Sequence, residues 1–277
     1  MKNVTRREFL EKSGIGLAGL SLNPFHDLPK KTKGPRLFEL GIASYTFRNY
    51  PLDKALEMTK RLKIKRMSLK SMHLPLESTK AQIQAVIQKA KDAGIEIYGG
   101  GVIYMNKKEE VDNAFRYAKD AGMEMIIGVP AHELLPYAEE YVKKTGIKLA
   151  IHNHGPTDKV YPSPQSVYDR IKNMDKGMGM CLDIGHTVRM GLDPGEQAKK
   201  YISRIFDMHI KDETAATAEG EPTEMGRGII DIPFFFKSII DAGYKGNASF
   251  EYEKDPDDVL PGLAESVGYA RGTIDTI

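Results

Sequence analysis

The sequence predicts one α/β domain, a single (β/α)8 barrel preceded by an export signal. Three observations predict it. Short apolar runs alternate with amphipathic runs through eight units over about 240 residues, near the ~250 that such a barrel needs. Three amphipathic runs stop at a glycine, Gly94, Gly122 and Gly243, and an apolar run follows each; this is one helix-to-strand connection used three times. Four later apolar runs end in His, Asp, His and Glu, and the C-terminal strand ends are where a barrel builds its site. A doubly wound open sheet is the alternative. No Gly-x-Gly-x-x-Gly follows the first strand, and Gly99-Gly100-Gly101 is not that motif.

Residues 1–36 read as signal and tether. Thr5-Arg6-Arg7-Glu8-Phe9-Leu10 resembles the twin-arginine export signal, and Ser13 to Leu22 follows as a Gly-rich, weakly apolar stretch too short to span a bilayer. The expectation is a periplasmic protein without stable membrane insertion. Residues 37–277 are read as the barrel. Its first strand is Phe38 to Ser44. Pro51 opens a helix to Leu62, with Leu52, Ala55, Leu56, Thr59 and Leu62 on one face. Arg66 to Lys70 is a short strand. Thr79 to Ala93 is a helix with a Ser or Thr cap and Gly94 as its stop. Then come strand Glu96 to Val102, helix Lys108 to Ala121, strand Met125 to Val129, helix Leu134 to Thr145, strand Lys148 to His152 and helix Ser163 to Lys172. Strand Met178 to Asp183 precedes helix Asp193 to Tyr201. Strand Ile205 to Lys211 precedes helix Ile232 to Ala242. Strand Asn247 to Glu251 and a helix from about Asp258 close the series. Glu213 to Glu224 reads as a polar loop covering the mouth.

Charge and cysteine content narrow the function. With 40 basic and 38 acidic residues the formal net charge is +2, which makes no electrostatic case for nucleic acid or an anionic membrane. The lone Cys181 rules out an intramolecular disulfide and a Cys-rich zinc site, and reads as a small buried residue. What remains is a small-molecule site; a homo-oligomer is compatible with all of this.

The chemistry sits at the strand ends. His152, Asp183, His209 and Glu251 would each point into one mouth. Mixed imidazole and carboxylate ligation suits Mn²⁺, Co²⁺, Zn²⁺ or Fe²⁺ better than Mg²⁺. The expectation is one divalent ion among these four, since two carboxylates at an apolar-walled mouth would otherwise repel. Lys70 ends the second strand and is a candidate site cation or base, with His73 beside it. Tyr45 follows the first strand, and Lys211 ends the seventh; both are expected to meet substrate.

From Phe38 onward the chain resembles the sugar isomerase/epimerase barrels related to xylose isomerase. The resemblance rests on Leu182-Asp183-Ile184-Gly185-His186, Met208-His209-Ile210-Lys211-Asp212, Gly226-Arg227-Gly228-Ile229-Ile230-Asp231 and Phe250-Glu251. It implies Asp183, His209 and Glu251 as metal ligands, and His186 and Arg227 as contacts to substrate oxygens. The fifth strand departs from the pattern, because the family's Glu is replaced by His152 in Ile151-His152-Asn153-His154. That Glu is one of two carboxylates that move protons between the faces of an enediolate. The His-x-His is similar to the keto-inositol dehydratases of the same superfamily, which lose a β-substituent after proton removal beside a carbonyl.

The first expectation is therefore a sugar isomerase/epimerase-type enzyme acting on a small carbohydrate, with Glu251 or His154 taking the proton. The second is a lyase acting on a keto-sugar or keto-glycoside. Two further readings were weighed. Endonucleases for abasic DNA share the fold but want more zinc ligands and a basic face. An inactive sugar-binding barrel would explain the missing Glu.

Overall fold

The computed structural model describes residues 38–277. The export-signal reading lies outside them. Among the described residues, no helix is long and apolar enough to cross a membrane.

Eight parallel strands close into a barrel: β1 Glu39–Ala43, β2 Arg66–Leu69, β3 Glu96–Met105, β4 Met125–Pro130, β5 Lys148–His152, β6 Met178–Asp183, β7 Ile205–Ile210 and β10 Asn247–Phe250. They follow one another round the wall in chain order, and β10 returns to β1 with Leu40 opposite Ala248 and Ile42 opposite Phe250. Two further short strands, β8 Asp212–Glu213 and β9 Pro222–Thr223, form a separate antiparallel pair. The stretch expected to be a plain loop thus carries a small hairpin, and Asp212 fastens the chain beyond it. Its carboxylate accepts hydrogen bonds from the backbone nitrogens of Gly226 (2.9 Å), Gly228 (3.0 Å) and Ile230 (3.2 Å).

Nine helices are described: α1 Leu52–Arg61, α2 Lys80–Asp92, α3 Lys108–Ala121, α4 Leu135–Thr145, α5 Pro164–Ile171, α6 Ile184–Val188, α7 Pro194–Tyr201, α8 Ile232–Asp241 and α9 Val259–Thr276. Their ends have local causes. Thr79 and Gln82 form a reciprocal capping box for α2. The Asp231 side chain accepts from the backbone nitrogen of Phe234 at 2.9 Å and starts α8. Gly122, at φ +68°, ends α3 in the left-handed region that a side chain would resist. Helix α8 buries Ile232, Phe235, Phe236 and Ile239 against the barrel. Each such side chain contributes about 1.5–3 kcal/mol on full burial.

Most expected elements stand within a residue or two of their predicted ends. Strand β3 is the exception: it runs on to Met105, with its register against β4 shifting between Gly100 and Ile103. That shift carries Tyr104 to the mouth. The short α6 was not foreseen, because Ile184-Gly185-His186 reads as a turn; Asp183 caps it, its Oδ1 accepting from the His186 nitrogen at 2.7 Å.

The strand order positions the site. Strands β5, β6, β7 and β10 are consecutive neighbours, so their C-terminal ends form one continuous arc of the rim. Strands β1, β2 and β3 form the opposite arc.

Candidate active site

Each strand of the first arc delivers one chemistry-bearing side chain. His152 ends β5, Asp183 ends β6 opposite His209 of β7, and Glu251 follows β10. All four are buried. One ligand atom from each lies within 4.8 Å of the others. His152 Nε2 is 3.1 Å from His209 Nδ1 and 3.4 Å from Asp183 Oδ2, while His209 Nδ1 is 3.2 Å from Glu251 Oε2. An ion with bonds of roughly 2.0–2.2 Å holds adjacent ligands about 3.0–3.6 Å apart. The measured edges fall in that range. Asp183 Oδ2 is buried and its neighbours are the Lys211 ammonium at 3.0 Å and His152, neither in hydrogen-bond geometry, so a lone pair is left for a cation. The four residues can therefore hold one divalent cation. A second grouping, His152, Cys181 and His209, is geometrically close, but burial pushes the Cys181 thiol well above its usual range and keeps it protonated.

Lys211 completes the electrostatics. Its ammonium is buried, 3.0 Å from Asp183 Oδ2 and 2.7 Å from Glu251 Oε2, and also pairs with Glu253. Burial alone would raise the Asp183 and Glu251 pKa values. Lys211 and His186 overcome this at Asp183, and His209 and Lys211 overcome it at Glu251, so both carboxylates are held well below their ordinary range. Burial lowers His152 to about 3, leaving it neutral and fit to ligate. For His209 burial would do the same, but Glu251 beside it raises the imidazole instead. Gly185 lets Lys211 pass: a Cβ there would stand 2.5 Å from Lys211 Cγ and 2.6 Å from Glu213 Oε1.

His154 and His186 lie at the outer edge of this arc. His154 Nδ1 is 3.4 Å from His152 Nδ1 and 3.3 Å from Asp158 Oδ2, and His154 Nε2 is 3.2 Å from the Tyr104 hydroxyl. The His154 and His186 rings are 5.6 Å apart. Burial lowers the pKa of both. From the opposite arc, Lys70 donates to the Val102 carbonyl at 2.7 Å and lies between the Tyr45 and Tyr104 rings, 6.0 and 5.9 Å from their centres. Its pKa is lowered by burial, with Glu251 opposing. A cleft of about 280 Å³ opens beside His154, with Tyr104, His132, Glu133, Asp158 and Val160 among its walls.

Two expected site residues are placed elsewhere. Arg227 is exposed and forms a two-pronged pair with Glu265 of α9, at 2.6 and 2.7 Å, so it is not brought into the cluster. His73 is buried with both ring nitrogens engaged, Nδ1 with Ser44 Oγ at 2.9 Å and Nε2 with the Tyr50 carbonyl at 3.0 Å. It braces the turn after β2. His73→Phe should thus cost about 1–3 kcal/mol, because it leaves a buried carbonyl and hydroxyl without their partner. Urea unfolding checks the loss, and calorimetric metal affinity should stay at the wild-type value.

Two residues were missed. Glu213, read as part of a covering loop, is buried beside Lys211, and burial pushes its carboxyl up to about 7, with Lys211 opposing. Asp207 lies inside the barrel below His209. Its signal was present, since residues two apart on a strand face the same way.

Fold and cluster together define the class, a closed parallel (β/α)8 barrel with a buried His-Asp-His-Glu arc at its C-terminal rim. Residues 64–272 match the family described as xylose isomerase-like TIM barrel, and the chain belongs to that family. Among curated relatives it is similar to the inosose dehydratase of Clostridium perfringens, 31% identical over 130 residues, which is 41% of this chain and 43% of that protein. The inosose dehydratase of Geobacillus kaustophilus is 28% identical over 135 residues, 43% of each chain. The alignments thus span less than half of these relatives. Among solved structures, the IolI protein with a bound zinc atom shares the fold at a TM-score of 0.72 and 15% identity, over 86% of this chain and 99% of that one. An uncharacterised protein from Parabacteroides distasonis gives 0.67 at 25% identity, over 85% and 98%.

Proposed function

We propose that this chain is a divalent-metal-dependent lyase that removes water or an alcohol from a cyclic keto-sugar or keto-polyol. The observation that carries this reading is the fifth strand. His152 occupies a corner of the ligand arc, and His154 stands beside it with Nε2 against the Tyr104 hydroxyl. The family's Glu, needed as one of two bases for epimerisation, is absent there. The likeness to inosose dehydratases supports the same reaction type.

His152, Asp183, His209 and Glu251 would hold a divalent ion, which would supply Lewis acidity toward the substrate carbonyl. The protein's own groups do the rest. Asp158 faces His154 Nδ1 and holds a proton there, which leaves Nε2 as the accepting nitrogen. His154, kept neutral by burial and by His186, takes the proton from the carbon next to the carbonyl. The C–H electron pair becomes the new C=C bond. The β-oxygen leaves with its bonding pair and takes a proton from Lys70, which burial makes a readier donor. The cleft beside His154 accommodates the ring or its substituent, and Tyr104 forms the wall they share.

A panel of cyclic keto-sugars and keto-glycosides in deuterated water tests the proposal. A lyase releases water or alcohol and yields a product lighter by that mass. Mass-conserving deuterium incorporation would instead establish isomerase or epimerase chemistry, the second reading, for which Glu251 is the available carboxylate. His152→Glu is the sharper probe, because it restores a carboxylate at the fifth strand. That variant should retain its metal, lose elimination and gain hydrogen exchange at the carbon next to the carbonyl, all visible in the same mass spectra.

A further inference from the structure

Strand β7 carries a second acid on the face that bears His209. Asp207 is two residues earlier, so its side chain points into the barrel one layer beneath the ligand arc. It is fully buried. Tyr98 of β3 reaches it from the opposite wall, its hydroxyl donating to Asp207 Oδ2 at 3.0 Å and meeting Ser249 Oγ at 2.6 Å. The Met208 nitrogen donates to Oδ1 at 3.0 Å, and the Cys181 thiol faces Oδ2 at 3.9 Å. No Lys or Arg forms an ion pair with it among the described residues. A carboxylate in a barrel interior with only neutral donors is costly.

The one imidazole facing it among the described residues is that of His209. His209 Nε2 is 4.0 Å from Asp207 Oδ2, and this nitrogen is buried with no hydrogen-bond partner. Its other nitrogen, Nδ1, faces the ligand arc, against His152 and Glu251. Nitrogen and oxygen thus face one another about 1 Å beyond the usual hydrogen-bond range of roughly 2.7–3.2 Å. We infer that Asp207 is a positioning residue for the metal centre: it holds the proton on His209 Nε2, so that Nδ1 presents a lone pair to the cation. The inference rests on reading the arc as a metal site. Carboxylates placed behind ligating imidazoles act in this way, and their loss costs about 10–100-fold in metal affinity.

The test is calorimetric titration of the chelator-treated chain with Zn²⁺, Co²⁺ and Mn²⁺. Asp207→Asn keeps the volume but removes the charge and one of the two acceptor oxygens, and should weaken binding about 10–100-fold. Ser249→Ala, which touches the same Tyr98 hydroxyl without facing Nε2, should bind as the wild type does. In the ¹⁵N spectrum of the zinc-loaded wild type, His209 should show a protonated Nε2 protected from exchange, and Asp207→Asn should lose that protection. A folded Asp207→Asn with wild-type affinity and an unchanged His209 signal overturns the inference alone. If the wild type binds none of the three ions, the metal reading falls and the inference with it.

Discussion

Asp183→Ala is expected to abolish metal binding and activity together, and to destabilise the chain even when no metal is present. Asp183 joins three groups through its two oxygens. Oδ1 caps α6, and Oδ2 lies against Lys211 and His152. Removing one partner of a buried ion pair costs about 3–5 kcal/mol, because the other charge stays buried. The lower end applies, since Lys211 keeps Glu251 and Glu253. Loss of the cap adds about 0.5–2 kcal/mol. Asp183→Asn separates the two effects: it retains a capping oxygen and the volume, and removes the charge and the metal. Metal content after purification and urea unfolding in chelator are the measurements. Stoichiometric metal in Asp183→Ala would sink the assignment of this residue as a ligand.

The second large effect is expected at Lys211. Lys211→Met has nearly the same shape but leaves Asp183, Glu251 and Glu253 facing one another without the ammonium. In chelator the variant should be less stable by about 3–5 kcal/mol. Saturating divalent metal should return much of this, since a ligand at 100 times its Kd adds about 2.7 kcal/mol. Metal should therefore raise the melting temperature of the variant more than that of the wild type. The pH range follows from the signs. Asp183 and Glu251 are depressed, so their contribution is complete above about pH 4 and is lost only in acid. Lys211 is raised, so its contribution is complete below about pH 10 and is lost only above that. Between these limits the difference between wild type and variant should grow only as pH rises through about 7, because Lys211 opposes the burial that raises Glu213 and its loss makes ionising that carboxyl more costly.

The ligand arc was legible because its residues are strand ends. An apolar run that finishes in Asp or His on a barrel strand has one place to go, and His152, Asp183, His209 and Glu251 all went there. Residues outside the strands were less readable. Arg227 belongs to a loop whose course is set by the Asp212 carboxylate, and that bond cannot be seen in a string of residues. His73 follows a strand as Lys70 does, but Ser44 and Tyr50, distant in sequence, absorb both its nitrogens. Asp207 was hidden for another reason. Its two-residue offset from His209 is plain, yet a charged residue inside a strand reads as solvent-facing until the closed wall is known.

The division of the rim into two arcs has a consequence for how such a chain can change. All four residues that could hold a metal come from the second half of the sequence, from His152 to Glu251. Lys70, Tyr45 and Tyr104, which face them, come from the first half. The two halves meet across the mouth, along the seams of the wall and through Tyr98, which reaches Asp207 and Ser249 inside the barrel. Substitutions in the first half other than at Lys70 can therefore alter what faces the four candidate ligands while those ligands stay as they are. Swapping the segment that carries β1 to β3 between relatives, with Lys70 and Tyr98 kept, is a direct route to new specificities at constant metal affinity.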